Sequence, residues 1–407
     1  MRYACDSMKE RRLEFTAWVA LTLSALYSAA EALCSIFVSV YLWINSQDFL
    51  VVCRYHATLY FVTPIFFLLA GWYSQARDRS HVYRLGLVLH AVFYATLLSL
   101  GEHSAEYPIF LGAMLGMTWG IYWAGANTFN FDVTRQGKRE YFIGLVSSVG
   151  GVVSLLSPIV SGIIIRYAST PRAGYHTIFT LVIFLYIVSF ILSFLMPPDN
   201  VRRPYRILRA LFPRKDQRDW QLMMLASASM AGSFNIFPFV LGLLMYMRTG
   251  DELSVGGYAS FQALASVIVA FFVGRTVTPR TRRGFMRWGV LMLLAAGAVM
   301  VFQVSIATLF LFGLLRSVSG PLFGIPYGGL RYDIIAESAE DPAERIEYIA
   351  AWEVPLAIGR VLMMFLVMAV YDQLRGNEIA LRLILFIICA IRILTYECVV
   401  HTKAMRP

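Results

Sequence analysis

The chain has 407 residues, of which 58% are hydrophobic and only 15% charged. Soluble domains average about 45–50% apolar and about 25% charged, and so little charge leaves too few polar groups to cover a water-facing surface. The formal charge of +10 does not point to nucleic acid, because the Lys and Arg fall in short runs between apolar blocks and not on one basic face.

A helix that crosses a bilayer needs about 20 mostly apolar residues. By that measure the first half of the chain predicts spans at 15–43, 51–73, 82–101, 108–130, 141–167 and 176–196. The second half predicts spans at 220–247, 255–274, 285–304, 306–330, 347–371 and 378–400. The first block is too long for a removable leader and is expected to be retained. The longest interruption runs from Pro197-Pro198 to Trp220 and is rich in Arg. Paired prolines end a helix, and a basic run can lie on anionic headgroups; a tether between two bundles is the favoured reading. The expected organisation is therefore an N-terminal six-helix bundle over 1–196, a basic linker over 197–219 and a C-terminal six-helix bundle over 220–407.

Orientation follows from the loops. About 26 of the 35 Lys and Arg fall in the segments on one side of these spans, against about five on the other. The positive-inside rule then places both termini in the cytoplasm, and an even number of spans agrees. The five cysteines, Cys5, Cys34, Cys53, Cys389 and Cys398, form no C-x-x-C pair and read as small apolar residues.

The two halves repeat. Gly71 to Arg79 follows span two as Gly274 to Arg282 follows span eight; Phe131-Asp132-Val133 closes span four as Tyr332-Asp333-Ile334 closes span ten. Arg139-Glu140-Tyr141 opens span five as Arg345-Ile346-Glu347-Tyr348 opens span eleven. All three pairs share an offset of roughly 201–207 residues, half the chain, as a parallel duplication would give. With these features the sequence resembles a bacterial transporter of the major facilitator superfamily (MFS). The resemblance implies an all-α polytopic membrane protein, with twelve transmembrane helices in two pseudo-symmetric six-helix bundles. Of the family's loop after span two, Gly71 matches, Gln75 stands in place of the acid, and Asp78-Arg79 comes late. The second copy keeps Gly274 and Arg282-Arg283, and the antiporter motif of span five survives only as Ser157-Pro158 and Ser161-Gly162. The resemblance makes Asp78, Arg79, Asp132, Arg139, Arg282 and Asp333 candidates for cytoplasmic gating.

Charges deep in apolar blocks need a partner or a water-filled cavity. Glu31, Arg316, Glu353 and Arg360 are the best placed. Glu353 and Arg360 share a helix face but are separated by about 10.5 Å of rise, so each is expected to look to another helix, with Arg316 and Glu31 as the available opposite charges. Glu31 is a candidate for proton coupling, or else one half of an ion pair that locks helices together. Arg316 and Arg360 can bind an anionic group, or else neutralise the two glutamates. Arg382 and Arg392 in span twelve read as snorkelling or packing residues. Gly112, Gly116 and Gly120 form one smooth helix face, read as packing. Trp119, Tyr122 and Trp123 share a face and offer either a packing stripe or a surface for an organic solute. Asn127 and Asn235 are further candidates on spans four and seven, which line the cavity in this fold. His56 is expected simply to be hydrogen-bonded.

No phosphate-binding loop or H-E-x-x-H is present, so energy is expected from an ion gradient, with no cofactor, no metal and no enzyme activity. The expected function is secondary active transport of a small organic solute, amphipathic or anionic, across the inner membrane by alternating access, as proton-coupled efflux. Its partners are the solute, the lipid bilayer and protons as coupling ion; nucleic acid is excluded and a monomer expected. The alternative is a membrane-embedded solute sensor that does not transport.

Overall fold

The computed structural model describes residues 15–76, 79–132, 139–196, 207–214, 216–339, 344–374 and 377–405. These residues hold twelve helices long and apolar enough to cross a membrane. In chain order they are α1 (Phe15–Ser46), α2 (Phe49–Ala76), α3 (Arg79–Leu100), α4 (Pro108–Asp132), α5 (Arg139–Arg166) and α6 (Pro171–Leu192). The second set is α7 (Arg218–Thr249), α8 (Glu252–Thr276), α9 (Arg282–Phe302), α10 (Ile306–Ser338), α11 (Glu353–Gln373) and α12 (Glu378–Val400). Hydrocarbon offers no hydrogen bonds, so each span must satisfy its backbone internally, and helices do so. Pro64, Pro158, Pro238, Pro321 and Pro326 all lie inside helices.

Most predicted boundaries hold to within a few residues. Two differ for physical reasons. Helix α10 runs on to Ser338, past the apolar stretch, because its last turns pack Ile334 and Ile335 beneath the short helix Arg345–Ala351. Span eleven is predicted as one helix but is broken at Trp352 into Arg345–Ala351 and α11. Part of the linker is also more than a tether. The short helix Ile207–Leu211 buries Ile207 and Ala210 against that same segment, and the Trp220 indole donates to the Ala210 carbonyl at 2.8 Å.

Within the first bundle α4 lies on α2. A Cβ on Gly116 would fall 2.6 Å from the Leu59 carbonyl oxygen and one on Gly120 2.5 Å from that of Thr63. The smooth face formed by Gly112, Gly116 and Gly120 is therefore a close backbone approach, as the four-residue spacing predicts.

The bundles meet along α5 and α8, α2 and α11, and α1 and α7. At the end opposite the chain termini, the Arg166 guanidinium reaches the Asp251 carboxylate at 2.7 Å. Asp251 also caps α8 by accepting from the Ser254 backbone N–H at 3.0 Å, and buried Glu252 accepts from the Tyr175 hydroxyl at 3.4 Å. Gly162 sits under the start of α8, where a Cβ would lie 2.7 Å from the Glu252 carbonyl oxygen. His56 donates to or accepts from Ser39 at 2.9 Å and stacks on Phe239 of the other bundle at 4.0 Å. Toward the termini end, Ala350 packs against Phe67 and Ala70 of α2.

Candidate functional site

The first bundle gathers its polar groups around Glu31, on α1. Tyr186 of α6 donates its hydroxyl to Glu31 Oε1 at 3.0 Å, and His90 of α3 brings Nε2 to 3.8 Å from the same oxygen. The other ring nitrogen, His90 Nδ1, lies 2.8 Å from the Gly86 carbonyl. A carbonyl only accepts, so Nδ1 carries the proton of the neutral ring and Nε2 presents a lone pair. Two acceptors then face each other unless a proton sits on one of them. Bound to either group, that proton turns repulsion into attraction. The Tyr27 hydroxyl lies 3.5 Å from the same Nε2.

Aromatic rings wall this cluster. Tyr27 stacks on Tyr122 with centroids 3.6 Å apart, and Trp123 meets both rings edge-on. Tyr122 is buried, whereas Trp123 is 42% exposed although its neighbours are α1 and its own helix. Trp119 Nε1 is buried beside Glu31, outside hydrogen-bond geometry with the described residues. The three aromatic residues on one face of α4 are thus divided: Tyr122 packs, while Trp119 and Trp123 keep surface or donor capacity. Sequence reasoning passed over Tyr27, His90 and Tyr186. His90, an ionisable residue in the middle of an apolar span, was the available signal.

The second bundle holds the guanidinium groups. Arg316 of α10 donates from Nη1 to Gln262 Oε1 of α8 at 2.9 Å and lies over the Phe237 ring of α7 at 5.2 Å. It meets no carboxylate among the described residues, and Glu31 is held by Tyr186 and His90 instead. The expected pairing of Glu353 with Arg316 and of Arg360 with Glu31 is therefore incorrect. Arg360 and Glu353 approach each other to 3.9 Å. Two turns on one face separate their Cα atoms, but both side chains are long and lean toward each other along the axis, which closes the gap. Arg360 also lies 5.8 Å from the Tyr60 ring of α2. Arg382 donates to the Phe302 carbonyl at 2.8 Å, at the end of α9, and Arg392 is buried 4.9 Å over the Phe323 ring.

Of the gating candidates, Arg282 and Asp333 are brought together at 2.5 Å, joining the start of α9 to the end of α10. Asp78 lies outside the described residues, as do the side chains of Arg79, Asn127, Asp132, Arg139 and Asn235. No cluster of His, Cys, Asp or Glu fit to hold a metal occurs among the described residues.

Residues 54–330 match the model of the Major Facilitator Superfamily. The chain belongs to this family. It is 29% identical to the "Uncharacterized protein YqgE" of Bacillus subtilis (strain 168) over 342 residues, covering 84% of this chain and 79% of that protein. Among solved structures, the nucleoside transporter NupG superposes with a TM-score of 0.76 at 11% identity, over 95% of this chain and 100% of that one. A peptide transporter POT in complex with sulfate gives 0.70 at 12% identity, over 94% and 95% of the two chains. Identities this low speak for the fold alone. This MFS protein is thus a multi-pass transporter-family chain of twelve spans, with Glu31 beside a histidine in one bundle and Arg316 without a carboxylate among the described residues in the other.

Proposed function

We propose that this MFS protein is a secondary active transporter that exports a small organic solute in exchange for protons, working by alternating access with both termini in the cytoplasm. The bundles are taken as residues 1–196 and 220–407, joined by 197–219, and the working unit as a monomer. One observation carries the reading: Glu31 Oε1 and the lone pair of His90 Nε2 face each other at 3.8 Å inside the first bundle. That pair holds a proton in one state and repels itself without one. Trp119 and Trp123 stand beside it, and a solute bound on them alters the water around the pair, hence its proton affinity. Family membership argues for transport and not for an enzyme. Arg282, Asp333 and their counterparts Asp78, Arg79, Asp132 and Arg139 serve as the cytoplasmic gate in this reading.

Proteoliposome flux under an imposed proton gradient tests it. Wild type is expected to show gradient-driven counterflow, and Glu31→Gln, which cannot titrate, to keep solute exchange but lose the response to the gradient. Gradient-driven transport at the wild-type rate in Glu31→Gln removes the coupling role. Solute binding without any counterflow would make the protein a sensor.

A further inference from the structure

Intramembrane guanidinium groups need compensation, and those of the second bundle differ in how they obtain it. Arg360 has Glu353 at 3.9 Å. Arg382 reaches the α9 carbonyls. Arg331 lies 3.9 Å over the Trp352 ring and within electrostatic range of Glu353. Arg392 is sealed in, 7% exposed, beneath Phe323. Arg392 and Arg316 both lack a carboxylate among the described residues, but Arg392 Nε is buried without an acceptor, whereas Arg316 is only partly buried. The only hydrogen-bond acceptor of Arg316 among the described residues is the neutral Gln262 amide. A guanidinium has five N–H donors, so most of its capacity is unspent. Its partial exposure gives those donors somewhere to point.

Beside Arg316 the helix is bare. Gly320, four residues on, shares its face, and Gly324 and Gly328 continue along α10 toward the termini end. A Cβ added at any of the three would meet nothing within 4 Å. Arg316 is directed into the bundle by Gln262 of α8 and Phe237 of α7, so this open strip adjoins an interior cation and not a lipid-facing one. Arg316 is thus a cation beside open space, with no carboxylate partner among the described residues.

We propose that Arg316 is the anion subsite of the transported solute: it takes a carboxylate or phosphate group of an organic anion, whose body lies along the Gly320–Gly324–Gly328 strip. This rests on the reading of the protein as a transporter and specifies the solute class. A planar fork with free donors fits both anions in bidentate fashion, and the glycines leave room for a body of varied shape.

The test is binding to purified protein, read by thermal shift and tryptophan quenching. The probes are lactate, octanoate, benzoate, indoleacetate and phenyl phosphate, each beside its neutral amide or alcohol counterpart. Wild type is expected to bind at least one anion roughly tenfold or more tighter than its neutral counterpart, the scale of a charge-assisted pair. Arg316→Gln is expected to reduce that preference to about twofold or less. Arg316→Lys, which keeps the charge and guards against a folding defect, is expected to retain a weaker preference. Absence of any anion preference in wild type, or a preference undiminished in Arg316→Gln, overturns the proposal. The binding is repeated in nanodiscs with and without phosphatidylglycerol. If that lipid displaces the probe anions, the occupant is a headgroup and the solute assignment fails. Counterflow of the bound anion is measured separately: binding that depends on Arg316 without counterflow refutes transport and leaves the subsite standing.

Discussion

Gly162 offers a clean perturbation of the contact between the bundles. It lies in α5 against the first turn of α8, and a Cβ there would sit 2.7 Å from the Glu252 carbonyl oxygen and 2.9 Å from Leu253 Cα. Both neighbours are backbone, so no rotamer change relieves the clash. Helices α5 and α8 must part by roughly half an ångström or more, and overpacking of this kind costs about 1–3 kcal/mol. On the proposed alternating-access reading, the cost falls only on the state in which this end is closed. Gly162→Ala should therefore move the equilibrium toward the state open at this end by about 5- to 150-fold. A single cysteine at Val255, fully buried at 0% exposure near the α8 start, reports on it through labelling by a membrane-impermeant maleimide with the native cysteines replaced. The labelling rate should rise by about that factor, while a cysteine at Gly324, on the open strip of α10, should label more slowly. An unchanged Val255→Cys rate refutes the argument, and faster labelling at both positions would indicate loosening of the fold and not alternation.

The Arg166–Asp251 bridge is partly exposed, with side chains 48% and 21% accessible, so a double-mutant cycle of Arg166→Gln and Asp251→Asn should give a coupling of about 0.5–1 kcal/mol, read from the same labelling rate. Burial pushes the Asp251 carboxyl up, but hydrogen bonds from Ser254 and the Arg166 guanidinium outweigh it and hold it below the usual carboxylate range. A depressed carboxylate contributes at neutral pH and is lost as pH falls through its lowered value, so the bridge should persist at pH 5 and weaken only below about pH 4. Gly116→Leu should lower the thermal midpoint markedly, because its Cβ would meet the Leu59 carbonyl at 2.6 Å and the displaced helix belongs to the same bundle in every state. Asp333→Asn should cost less than about 1 kcal/mol of stability, since Asp333 is half exposed, and its effect should appear in transport rate.

What the sequence made legible was whatever depends on one helix at a time. Span count, approximate limits and the packing face of Gly112, Gly116 and Gly120 follow from apolar length and periodicity. The Ser161-Gly162 remnant of the span-five motif also proved informative: Ser161 donates to the Leu33 carbonyl at 2.7 Å inside the first bundle, and Gly162 forms the floor of the interbundle contact. Helix breaks were harder to foresee. Span eleven breaks at Trp352, one turn before Pro355, which has no N–H to bond the Ala351 carbonyl, and the Trp352 indole donates there to the Ser227 hydroxyl of α7.

Pairing of the charges was least legible, because a partner depends on how each helix is rotated about its own axis. Opposite signs suggested that Arg316 and Arg360 would neutralise Glu31 and Glu353 across helices. Instead Glu353 is satisfied along its own helix, and Glu31 by a tyrosine and a histidine that sequence reasoning passed over. The remaining imbalance has a mechanical consequence. Glu31 belongs to one bundle and Arg316 to the other, so neither would be fixed by the other if the bundles rock as proposed. A solute that fills the cation and perturbs the carboxyl would contact both bundles at once, and binding energy spent across such a divide is the kind that differs between conformations and can therefore shift them.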